Sequence, residues 1–225
     1  MTDLILYDQD LADNPTARIP VCLVLDTSSS MEGLPINELN EGVTMFMNEI
    51  LKDEITRYSA EISVITFGGT VNKVLDFGNL EDQQVPIFSA NGGTPMGEGV
   101  ETTLELLDER KKEYQKAGVD YFQPWLILMT DGQPTDSIET AVSQTCDLIE
   151  NRKLTIFPIG IGDSVDMSVL ARFSPKRSPM KLQGLKFKEF FEWLSQSVSV
   201  VSQSIPGEKI ELDIEGLKGW ADLEI

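Results

Sequence analysis

The chain has 225 residues, 41% of them hydrophobic, enough to bury the core of one α/β domain. Eighteen basic residues stand against 37 acidic ones, a formal charge of −19. That balance disfavours nucleic-acid binding, which neutralises phosphates with Lys and Arg, and equally disfavours docking on anionic membrane lipid. The chain contains no histidine, which removes Ser-His-Asp and Cys-His catalysis together with the commonest zinc sites.

Residues 1–18 are acidic and contain Asn14-Pro15, and they read as a surface arm, with a short edge strand at Leu4 to Tyr7. The amino terminus lacks the basic region of a secretory signal, and no apolar run approaches the ~20 residues of a membrane span. Cys22 and Cys146 read as small buried hydrophobes, too few and too far apart for a disulfide framework. A reduced, cytoplasmic protein is the expectation.

Five apolar residues, Val21-Cys22-Leu23-Val24-Leu25, read as a buried central strand that stops at Asp26 and is followed by Thr27-Ser28-Ser29-Ser30-Met31. Asp26 then falls at the carboxyl end of the strand, where open α/β sheets place their ligand sites. In D-x-S-x-S, the acid and both serines converge while Thr27 and Ser29 turn away. Carboxylate and hydroxyl oxygens without imidazole or thiolate suit Mg²⁺, Mn²⁺ or Ca²⁺. The pentapeptide reads equally well as a polar loop whose serine caps the next helix.

That helix opens near Pro35, carries Leu39, Val43, Phe46, Met47 and Ile50 on one face, and ends between Asp53 and Arg57. Ala60 to Phe67 is a strand. Gly68-Gly69 turns it into a second strand at Val71 to Phe77, which adds an antiparallel edge to an otherwise parallel sheet. A polar loop over 78–93 leads to Asn91-Gly92-Gly93-Thr94-Pro95. Thr94-Pro95 is either a helix N-cap with proline at the first helical position, or a hydroxyl presented at the sheet's rim by a close backbone approach of the two glycines.

A long helix over 97–116 follows, then the apolar strand Trp125 to Met129, which ends in Thr130-Asp131-Gly132. Asp131 is thus a second strand-end carboxylate, although Asp-Gly is also a common turn. A helix over 137–151 and a strand over 154–161 come next. Gly160-Ile161-Gly162 is no dinucleotide fingerprint, because Val165 stands where the third glycine would be, and no GxxxxGK[ST] phosphate loop occurs. A short helix at 166–172, an edge strand at Met180 to Leu182 and a last helix at Phe187 to Val201 complete the pattern. Phe187, Phe190, Phe191, Leu194 and Val198 of that helix face the sheet. Beyond it, Lys209 to Glu215 alternates strictly, an extra strand for a sheet edge or for a partner.

Asp26, Ser28, Ser30, Thr94 and Asp131 therefore lie on three loops at one rim of the expected sheet. D-T-S-S-S, G-G-T-P and T-D-G together resemble the metal-ion-dependent adhesion site of von Willebrand factor type A domains, over roughly residues 19–202. The likeness implies an α/β fold: a doubly wound, mostly parallel six-stranded sheet with one antiparallel edge strand and helices on both faces. It would comprise an arm (1–18), the domain (19–202) and a tail (203–225). It implies a Mg²⁺ or Mn²⁺ ligated by the hydroxyls of Ser28, Ser30 and Thr94, with Asp26 and Asp131 binding directly or through water. A protein partner would donate a Glu or Asp carboxylate to the ion, making the chain a non-catalytic binding module.

Within the family, L-D-T-S-S-S-M, S-V-I-T-F, M-T-D-G-Q-P-T-D and F-K-E-F-F-E-W-L-S-Q-S-V-S look most like its cytosolic tellurium-resistance members. Those imply a role in tellurite or chemical stress beside a kinase and phosphatase or other stress-system proteins. The chain is also similar to accessory subunits of AAA-type ATPases. A Mg²⁺-dependent phosphotransferase would carry D-x-D after the first strand, where this chain has Ser28.

Overall fold

The computed structural model describes Leu11, Asn14, residues 16–163, 165–208 and 221–223. The first strand, β1 (Ile19–Asp26), is buried along its whole length and pairs in parallel with β2 (Ala60–Gly68) on one side and β4 (Trp125–Thr130) on the other. β3 (Thr70–Leu75) runs antiparallel to β2, and β5 (Thr155–Gly160) and β6 (Met180–Leu182) extend the sheet in parallel beyond β4. These six strands are the ones the sequence pattern predicts. A seventh, β7 (Ala221–Leu223), pairs antiparallel with β6, giving the order β3-β2-β1-β4-β5-β6-β7.

β6 is therefore not the edge that its short length suggests, and the strand drawn from the tail lies further along than the alternating residues. Lys209 to Glu215 and Leu4 to Tyr7, both read as strands, lie outside the described residues.

Because β1 alternates between two covered faces, its odd and even residues join different cores. Ile19, Val21, Leu23 and Leu25 pack under α1 (Leu34–Lys52) and α6 (Phe187–Ser202). Cys22 and Val24 pack under α3 (Met96–Ala117) and α4 (Glu139–Glu150), with α5 (Met167–Arg172) beside β5. The expected aromatic face of α6 is fully buried: Phe187, Phe190, Phe191, Leu194 and Val198 have no exposed surface. Gly42 of α1 makes the close helix pairing possible, since a methyl group there would stand 2.6 Å from the Phe191 ring. Cys22 is buried as expected, whereas Cys146 is only half-buried, its thiol pointing at the Arg172 carbonyl.

The helix expected to end between Asp53 and Arg57 is two helices. The Asp53 carboxylate accepts the Thr56 amide at 2.7 Å and caps a new one, α2 (Glu54–Ser59).

The largest departure from the sequence reading lies where the strands begin. Glu61 of β2 is buried between two guanidinium groups: it accepts from Arg18 at 3.1 Å, from Arg110 at 2.7 and 2.8 Å, and from the Tyr114 hydroxyl at 2.5 Å. Burial works against the Arg110 charge, but Glu61 holds its proton affinity above the ordinary value; burial and the Glu61 charge push the Tyr114 hydroxyl well up. Arg18 is 2% exposed and also donates to the carbonyls of Thr16 and Asn14, while Leu11 packs on Tyr114. The described part of the arm is therefore tied to the domain, a contact that the acidic composition of residues 1–18 conceals.

Replacing Glu61 by Ala removes the shared acid from two buried cations, leaving Arg110 only the half-exposed Glu113 at 2.7 Å, and should cost about 3–5 kcal/mol in urea unfolding. Glu61→Gln, which keeps an acceptor, should lose less. Equal stability of Glu61→Ala and wild type would show the network to be dispensable.

Candidate metal site

Asp26 closes β1 with its carboxylate fully buried. Its Oδ1 accepts the Ser28 amide at 2.8 Å and its Oδ2 accepts the Thr130 hydroxyl at 2.5 Å, so both oxygens are held from two neighbouring strand ends. Beyond it the chain stays extended through Ser28 (φ −68°, ψ 169°) and makes one 3₁₀ turn over Ser29–Met31. Neither Ser28 nor any other side chain caps that turn or α1, whose start is set by Gly33 at φ +88°. The serine hydroxyls are free for other work. Ser30 donates to Asp131 Oδ1 at 2.7 Å, and Ser28, 2.9 Å away, donates in turn to Ser30.

Thr94 comes from the third loop, and its hydroxyl does not cap α3. That helix has Pro95 at its N-cap, and its first amides, those of Gly97 and Glu98, are taken by the Asp136 carboxylate at 3.1 and 2.8 Å. Asp136 thus supplies, from the loop after β4, the cap and the negative charge that a helix N-terminus favours. Thr94 itself is 6% exposed, and its Oγ1 has no hydrogen-bond partner among the described residues. It faces the same space as Ser30: a methyl group on Gly132 would lie 3.8 Å from Thr94 Oγ1 and 3.9 Å from Ser30 Oγ.

Backbone bonds lock the three loops to one another. Ser29 donates to the Gly92 carbonyl at 3.0 Å, Asn91 to the Thr27 carbonyl at 2.8 Å, and Gly69 to the Gly93 carbonyl at 2.8 Å. Gly92, at φ +70°, lies so close to Gly69 that no side chain fits between them. Thr135 pins the Thr94 loop from the other side, accepting the Thr94 amide at 3.0 Å through its hydroxyl and donating its own amide to the Thr94 carbonyl at 2.9 Å.

All five residues singled out in the sequence are thus drawn to one rim of the sheet. Thr130, Thr135 and Asp136, which position them, were missed. They lie in the same T-D-G-Q-P-T-D stretch, but nothing in linear spacing says that Asp136 reaches α3 or that Thr130 reaches Asp26.

The donors are two carboxylates and three hydroxyls, the set a hard divalent cation takes, and among the described residues no cluster of three or more His, Cys, Asp or Glu offers another metal site. An unengaged Thr94 hydroxyl, on a residue only 6% exposed, beside two linked serines and two acids fits such an ion. Burial pushes the Asp26 carboxyl up from its ordinary value of 3.8, and the Asp131 charge adds to the shift, while the bonds from Ser28 and Thr130 oppose it. Without a cation, this is an acid the fold holds against its solvation preference.

The von Willebrand factor type A domain profile matches residues 21–189. The chain belongs to that family. It is 21% identical to human inter-alpha-trypsin inhibitor heavy chain H6 over 165 residues, covering 71% of this chain but only 13% of that protein.

Among solved structures, manganese-loaded TRAP protein of Plasmodium vivax superposes with a TM-score of 0.53 at 20% identity, covering 71% of this chain and 63% of that one. Proximal thread matrix protein 1 of the mussel byssus, with a zinc-occupied MIDAS motif, superposes with a TM-score of 0.57 at 16% identity, covering 82% and 48%. The chain thus spans less than two thirds of each of these relatives, and the likeness to the two structures is one of fold. Each of these two structures is named for a divalent metal, manganese in the first and zinc in a MIDAS motif in the second.

In metal-free protein, the raised Asp26 value means that the folded state holds a proton more tightly than the unfolded one. Stability from this group is therefore full at low pH and falls as pH rises through the raised value. In EDTA, Asp26→Asn should accordingly melt above wild type at pH 7.5, with the gap closing as pH approaches 3.8. A gap independent of pH in thermal unfolding would contradict the assignment.

Proposed function

We propose that the chain is a non-catalytic protein-binding module whose grip depends on a divalent cation held by Asp26, Ser28, Ser30, Thr94 and Asp131, with Mg²⁺ or Mn²⁺ as the resident ion. The observation that carries this is the joining of the Ser28 and Ser30 hydroxyls to Asp131, beside the unengaged hydroxyl of Thr94 and the buried Asp26 carboxylate. Neutral hydroxyls leave a bound ion with residual positive charge, and a Glu or Asp from a partner protein would cancel it at a partly dry rim. In this reading the ion supplies the bridge. Asp26, fixed by Ser28 and Thr130, keeps the serine loop in place behind it.

The finer reading is a cytoplasmic protein akin to the tellurium-resistance protein TerY, acting in a tellurite or chemical-stress response with other proteins of that system. What supports it is the run of motifs from L-D-T-S-S-S-M to the F-K-E-F-F-E-W-L-S helix. Its immediate partner would present an acid at the rim, where the loops 27–33, 88–97, 130–138 and 161–166 contain no Lys or Arg. Cations beside the partner's acid would therefore aid its approach.

The test is thermal unfolding and partner pull-down from the native host, in Mg²⁺ and in EDTA. Wild type should melt higher in saturating Mg²⁺, by about 2.7 kcal/mol of added stability at one hundred times the dissociation constant, and should retain its partner only there. Asp26→Ala should show neither effect; a variant that behaves as wild type in both assays defeats the proposal.

A further inference from the structure

A group of basic residues of this acidic chain gathers at the end of the sheet away from the metal rim. A trough of about 1040 Å³ opens where β4 and β5 begin, and Lys111, Lys112, Arg152, Lys153 and Arg177 line it beside, among the described residues, two acids, Asp108 and Glu208. Five of the chain's 18 cations thus share one cavity on a protein of charge −19. Its floor includes Trp125, the first residue of β4, so it lies a whole strand, roughly 17 Å at ~3.3 Å per residue, from the Asp131 rim.

Three observations set these cations apart from an ordinary solvated surface. Asp108 pairs with Lys112 at 2.7 Å and reaches Lys111 at 3.4 Å, which leaves Arg152, Lys153 and Arg177 without an acid among the described residues. Although Arg177 is exposed as a residue, its guanidinium carbon lies 4.3 Å from the centre of the Phe157 ring, and desolvation there lowers its proton affinity. Arg152 is the one non-glycine among the described residues with a left-handed backbone, φ +56°. It sits just past the end of α4, where the Lys153 amide bonds back to the Leu148 carbonyl and glycine is the residue of least strain. The helix-end dipole accounts for Arg152 and Lys153 after α4, but Lys111 and Lys112 lie within α3, ahead of its last turn, and Arg177 lies in the connection between α5 and β6, at no helix end.

We propose that this trough binds a small multivalent anion of the polyphosphate class. Two guanidinium forks and three ammonium groups supply the charge-assisted donors that phosphate oxygens take. The cations converge on one cavity of small-molecule size, which favours a compact polyanion over an extended acidic peptide. This site is independent of the metal rim and of its ion.

The test is calorimetric titration of the full chain with sodium tripolyphosphate at low salt in EDTA, which removes any metal-bound phosphate. One-to-one binding is expected. It should weaken at least tenfold in Arg152→Gln/Lys153→Gln/Arg177→Gln, at least threefold in Arg177→Gln alone should the triple variant fail to fold, and be unchanged in Lys73→Gln/Lys188→Gln on other faces. Raising the salt should weaken it further. No binding, equal affinity in the folded trough variants, or tighter binding of hexaglutamate than of tripolyphosphate would overturn the assignment.

Discussion

The structure turns on a carboxylate buried at the end of its central strand. Asp26 has no exposed surface, yet both of its oxygens are bonded, one to the Ser28 amide and one to the Thr130 hydroxyl. A buried acid is tolerable only when hydrogen-bonded, and is best satisfied by a cation. Those same bonds fix the direction in which the serine loop leaves β1 and the position of the neighbouring end of β4. The requirement to satisfy one charge therefore shapes the rim.

Around that point the loops are held by backbone bonds more than by side chains. Ser29, Asn91 and Gly69 donate their amides to Gly92, Thr27 and Gly93 in turn, and glycine at 69 and 92 is what permits so close a passage. Asp136 anchors the start of α3 and Thr135 anchors the Thr94 loop, so the hydroxyls that would touch an ion are placed before one arrives. Such preorganisation lowers the entropy that binding must overcome.

The two ends of the sheet have opposite character. At the rim the connecting loops carry acids and hydroxyls, with no Lys or Arg in 27–33, 88–97, 130–138 or 161–166. Where the strands begin, Glu61 joins Arg18 and Arg110 inside the protein, and the cation-lined trough opens beside Trp125. Net charge alone, −19, gives no hint of this separation.

The strands and helices were legible because each buries a face with its own period. The five apolar residues before Asp26, the Gly68-Gly69 turn and the aromatic spacing of α6 admit few other arrangements. The candidate site was legible for a related reason: chemistry-bearing residues stand directly after apolar strands, and a parallel sheet brings such strand ends to one edge. Long-range polar contacts were not legible. Glu61 meets Arg110, 49 positions away, and Asp136 reaches back 39 to Gly97, pairings with no periodic signature. The strand at 221–223 and the clustering of Lys111, Arg152 and Arg177 likewise depend on which segments the fold makes neighbours. Local sequence determined the elements and the residue types at their ends, because periodicity and turn chemistry act over a few residues. Only the tertiary structure decided which charges face each other, because burial strengthens and selects electrostatic contacts between segments that the chain itself keeps far apart.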